Sequence, residues 1–131
     1  NLTPGEIYDQ VLYIRKLVLE HYNMPLTNIV FMGMGEPLLN YKNVMMGIER
    51  ITSPDGLAMS SKRITLSTAG IAKLIKKLGD DNAKFKLALS LHAANDVKRN
   101  KIMPINESNS LNVLLEALNY YNNKTKSMIT L

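Results

Sequence analysis

Apolar positions along this chain recur at two spacings, helical and extended, and the two alternate from one end to the other. Thr3-Pro4-Gly5-Glu6 reads as a helix start, with Thr3 as N-cap, Pro4 in the first turn and Glu6 completing a capping box. The spacing predicts a helix to about Tyr22 that buries Ile7, Val11, Ile14 and Val18, with His21 near its end acting on the helix dipole. An apolar run from Asn28 to Met32 then predicts a first strand, which opens into Gly33-Met34-Gly35-Glu36-Pro37. Asn40 is placed to cap a second helix, with Val44, Ile48 and Ile51 on one face and Met45 beside them, before the turn Ser53-Pro54-Asp55-Gly56.

Arg63 to Leu66 is a short β-branched run that predicts a second strand, stopped by Ser67-Thr68-Ala69-Gly70. A third helix turns Ile71, Leu74, Ile75 and Leu78 inward and Lys73, Lys76 and Lys77 outward. Phe85 to Leu91 alternates poorly, and Leu87-Ala88-Leu89 suits a strand buried on both faces. A helical turn through Val97-Lys98-Arg99 and an extended link Met103-Pro104-Ile105-Asn106 follow. Ser110 then caps a fourth helix with Leu111, Leu114, Leu115 and Leu118 inward, and Met128 to Leu131 makes a fourth strand. Strands that never follow one another directly cannot form hairpins. The expected fold class is therefore α/β, with alternating parallel strands and helices in one unit spanning residues 1–131.

Composition narrows the chemistry. The absence of cysteine excludes disulfides, the usual structural zinc sites and an iron–sulfur cluster held by this chain's own thiolates, and no metal ligand set is expected around His21 or His92. The eight methionines are expected as adaptable core filling. A net charge of +5 lets the surface face a polyanion such as RNA, although no RRM or KH signature accompanies it. No apolar run is long enough to span a bilayer, the start Asn1 to Glu6 lacks a charged n-region followed by an apolar stretch, and the expected location is cytoplasmic with no membrane partner.

Parallel α/β sheets bind ligands at the carboxyl ends of their strands. Those positions here hold Gly33, Gly35 and Glu36, then Ser67, Thr68 and Gly70, then Ser90, His92 and Asn95. Small and polar groups at all three ends leave room for a ligand with an amine, a carboxylate and a ribose, with Glu36 facing the ammonium. Each residue also has a structural reading: Ser67 or Thr68 as cap of the third helix, Asn95 or Asp96 as cap of the following turn, His92 as a hydrogen-bonded rim residue. No nucleophile-and-base pair is evident.

The stretches Phe31 to Asn40, Ile64 to Gly70 and Leu89 to Ala93, together with Asn95-Asp96, Arg99 and Met103 to Asn106, resemble the radical S-adenosylmethionine RNA methyltransferases. Within these the nearest likeness is to enzymes that methylate carbon 2 of an adenosine in 23S rRNA and certain tRNAs. The resemblance implies a central part of a radical SAM (β/α) partial barrel, which binds S-adenosylmethionine and a 4Fe-4S cluster. It implies chemistry through a 5′-deoxyadenosyl radical and a methylated cysteine, with Gly35, Glu36, Ser67, Ser90, Leu91 and His92 holding the cofactor. Lys98 and Arg99 are expected to contact RNA phosphates. The family's cluster-binding and methyl-carrying cysteines have no counterpart in these residues, so the chain is expected to be a fragment, inactive alone and prone to self-association through open strand edges. Alternatives are another radical SAM enzyme, such as a glycyl-radical activating enzyme or a carbon-8 rRNA methyltransferase, and a non-catalytic α/β module for nucleotide or RNA.

Overall fold

The computed structural model describes residues 1–32 and 34–131. Four strands form one sheet in the order β1 (Ile29–Phe31), β2 (Ile64–Thr68), β3 (Lys86–Leu89) and β4 (Ile129–Thr130), every pair parallel. Helices α1 (Pro4–Tyr22), α2 (Tyr41–Thr52), α3 (Ala72–Asp80), α4 (Asp96–Ile102) and α5 (Leu111–Thr125) fill the intervals, so the alternation of spacings is realised as α/β crossovers. Strand neighbours are sequence neighbours throughout, as in a barrel laid open.

The register sorts the side chains into two unlike faces. Phe31, Leu66, Leu87 and Ile129 lie side by side on the helix-covered face, flanked by Ile64 and Leu89. The helices add Val44, Ile48, Ile51, Ile75, Leu78, Leu114 and Tyr121 to the same core. The opposite face carries the rows Val30, Thr65, Lys86 and Ser67, Ala88, Thr130. It is bare of helices, with Val30 and Thr130 exposed and Thr65, Lys86 and Ala88 half-buried. This corrects the expectation that β3 is buried on both sides: Lys86 and Ala88 on its second face are only half-buried.

Other expectations change for local reasons. α1 has the capping box foreseen, Thr3 accepting from the Glu6 N–H at 3.3 Å and Glu6 Oε2 accepting from the Thr3 N–H at 2.7 Å. Only Ile7 and Val11 of its apolar stripe are buried, because α1 outruns α2 and leaves Ile14 exposed. Leu115 is likewise exposed on α5. Asn40 stands at the N-cap of α2 as expected but gives it no side-chain hydrogen bond: its side chain donates to Leu2 O at 2.8 Å, and a 3-10 turn, Pro37–Asn40, leads into the helix. The link after Met103 is also not extended but a 3-10 turn, Pro104–Ser108. Five of the methionines are exposed: Met24, Met32, Met34 and Met128 lie in the segments between helices and strands, and Met46 on α2.

Candidate active site at the strand ends

Glu36 is fixed by the ends of two strands. Its Oε1 accepts from the Leu38 N–H at 3.0 Å and from the Thr68 hydroxyl at 2.8 Å, and its Oε2 accepts from the Ala69 N–H at 2.6 Å. All three donors are neutral, so they orient the carboxyl group without supplying a counter-charge. The ion pairs among the described residues, Lys16–Glu20 and Lys77–Asp81, lie elsewhere. Thr68 is buried at the end of β2 and also accepts the Gly70 N–H at 3.0 Å; neither it nor Ser67 caps α3. That helix start is served from a distance, the Ala72 N–H donating to Asn109 Oδ1 at 2.9 Å.

A cleft of about 320 Å³ opens where these ends meet, and Gly35, Glu36, Ser67, Ser90 and His92 all line it. Gly35 has φ +104° with nothing within 4 Å of where a Cβ would stand, so the main chain is open to close approach. The Ser90 N–H donates to Thr68 O at 2.9 Å and ties the end of β3 to the end of β2. Leu91 stands apart: it is half-buried against the core, and its carbonyl, not its side chain, faces the strand-end network. Gly33 lies outside the described residues. Beside the cleft, on the β1 side, a second cavity of about 510 Å³ shares Met32, Gly35, Glu36 and Pro37 with it.

Lys98 is exposed as expected, but Arg99 is not a surface cation. It is 0% exposed, and its guanidinium donates to the carbonyls of Ala69 at 2.6 Å and Leu91 at 3.2 Å and to Asn106 Oδ1. Burial lowers its pKa, and an arginine so enclosed cannot reach a phosphate. Asn106 in turn donates to Asp96 Oδ1 at 2.9 Å, which also accepts the Leu111 N–H at 3.0 Å. These hydrogen bonds, Asn106 first, hold the Asp96 carboxyl below its ordinary value. Residues reasoned from sequence alone as linker and cap thus form a buried polar hub, which sequence spacing did not disclose.

The donor set fits S-adenosylmethionine: an oriented carboxyl group in no ion pair among the described residues to face its ammonium, small hydroxyl residues, and a glycine open to the ligand. It does not fit the cluster, since the chain has no cysteine and no group of three candidate ligands gathers among the described residues. No protein-family model matches the chain. Over 98% of its length it superposes on the crystal structure of a radical SAM methyltransferase from Sphaerobacter thermophilus, with a TM-score of 0.92 and 36% identity, covering 38% of that chain. Fold and sequence are thus similar to those of a segment of a radical SAM methyltransferase. Among curated proteins, the segment is similar to the RlmN type. It is 67% identical over 130 residues to the probable dual-specificity RNA methyltransferase RlmN of Cytophaga hutchinsonii and 61% identical to that of Flavobacterium psychrophilum. Each match covers 99% of this chain; the chain spans 36% and 38% of the length of these relatives.

Proposed function

We propose that residues 1–131 are one structural unit that holds S-adenosylmethionine in a radical methyltransferase acting on carbon 2 of adenosine in 23S rRNA and tRNA. The observation that carries this reading is the Glu36 carboxylate, held by Leu38, Thr68 and Ala69 at the mouth of the strand-end cleft and in no ion pair among the described residues. Glu36 receives the cofactor's ammonium, Gly35 lets the methionine portion lie against the main chain, and Ser67 and Ser90 offer hydroxyls to its polar oxygens. His92 and the Leu91 carbonyl segment close the far side. Bound there, S-adenosylmethionine would supply one-electron chemistry, with the ligands of any 4Fe-4S cluster coming from outside these residues. The chain's own part is orientation and exclusion of water, which suits a rim poor in acids and bases.

Without cysteine these residues alone transfer no methyl group, and the location proposed for the protein is cytoplasmic. Among the described residues no helix is long and apolar enough to cross a membrane. The test is calorimetric binding of S-adenosylmethionine to the intact protein, wild type and Glu36→Gln, together with nucleoside analysis of 23S rRNA and tRNA. The expected result is a loss of affinity of at least tenfold in E36Q and 2-methyladenosine formed only by the wild type. Unchanged affinity in E36Q removes the assignment of Glu36, and methylation at a different adenine position removes the substrate assignment.

A further inference from the structure

Two main-chain segments make the rim of the cleft, and one buried side chain grips both. Ala69, just past β2, gives its N–H to Glu36 and its carbonyl to Arg99. Leu91, past β3, accepts from Arg99 Nε and from the Ala93 N–H at 2.7 Å, so that Leu91, His92 and Ala93 form a tight three-residue turn. His92 at its centre has φ +56°, a left-handed angle that a non-glycine residue keeps only when its surroundings impose it. Among the described residues Arg99 makes no direct ion pair, and its donors go to two backbone carbonyls and an amide. A planar fork that donates in several fixed directions can bridge two such carbonyls; a lysine ammonium has neither the span nor the plane.

We propose that Arg99 is a positioning residue for the cofactor cleft, locking the ends of β2 and β3 so that Ala69 aims its N–H at Glu36 and the Leu91–Ala93 turn sets His92 at the edge. Asn106 and Asp96 orient the guanidinium from behind. The consequence for the cofactor rests on the function proposed above; the geometry of the rim does not.

Amide exchange by NMR on intact Arg99→Lys protein tests this, read alongside calorimetric binding of S-adenosylmethionine. Exchange at Ala69 and Ala93 is expected to speed up at least tenfold while Leu66 and Leu87 in the strand centres keep their protection, and affinity is expected to fall at least tenfold. A folded R99K with wild-type exchange at both amides, or with wild-type affinity, overturns the proposal. If R99K does not fold, the wild type decides: the Arg99 Nε proton and the Ala69 and Ala93 amides are expected to exchange in one common opening, and rates differing tenfold overturn it. If the wild type does not bind S-adenosylmethionine while R99K still frees both amides, the cofactor assignment fails and the lock on the rim stands.

Discussion

Gly35 and Gly70 share a backbone angle, φ +104° and +103°, and differ in their surroundings. A Cβ on Gly35 meets nothing, whereas one on Gly70 comes within 2.9 Å of Leu114 Cδ2 and 3.0 Å of Leu89 Cδ1. Gly35→Ala therefore carries conformational strain alone, about 1–3 kcal/mol. Gly70→Ala adds overpacking of about 1–3 kcal/mol more. Urea melts of the two variants are expected to separate by that second amount; equal losses would show that Leu114 and Leu89 yield freely. Both glycines were legible as turn formers, but their packing was not. Arg99 was misread for a related reason. In α4 the apolar Val97 and Ile102 are exposed and the arginine is buried, so hydrophobic spacing reads this helix inside out. Its partners lie at Ala69 and Leu91 on other elements, beyond the reach of any local pattern.

At the scale of elements, helix contact depends on one small residue. Gly47 in α2 is where α1 crosses, and a Cβ there would stand 2.7 Å from Ile7 Cγ2. Gly47→Ala gains about 1 kcal/mol of helix propensity, but it forces α1 outward or Ile7 off its rotamer, at about 1–3 kcal/mol. The net expectation is a lower melting temperature, restored in part by Ile7→Ala in the same chain; a stabilised G47A would show the crossing to be loose. The elements themselves were legible because their apolar spacings are long and regular. Their ends were less so. α5 begins after Ser110 as read, but its Leu111 N–H goes to Asp96, and α3 is closed by Asn109, so neither helix is completed by its own flanking residues.

On the scale of the whole molecule, the sheet ends in β1 and β4, each paired on one side only among the described residues. Val30 and Met32 are exposed along and beyond β1, and Met128 and Leu131 flank β4. Unpaired parallel edges with apolar neighbours invite another strand. Residues 1–131 expressed alone are expected to self-associate with rising concentration in sedimentation equilibrium, and Val30→Lys is expected to weaken it; a concentration-independent monomer would count against open edges. The parallel sheet followed from the alternation of elements. That its second face stays bare did not, because Lys86 and Ala88 sit within a run whose leucines dominate the pattern.

The distant closure of α3 also bears on how the chain is made. Asn109 follows Ala72 by 37 residues, so a chain emerging from the ribosome presents the first turn of α3 well before the amide that finishes it has been added. Contacts of such separation form late. Until the segment around Asn109 arrives, that turn has only water for its free N–H groups and should fray, which opens the exposed Lys73 in that same turn to a protease in the half-made protein.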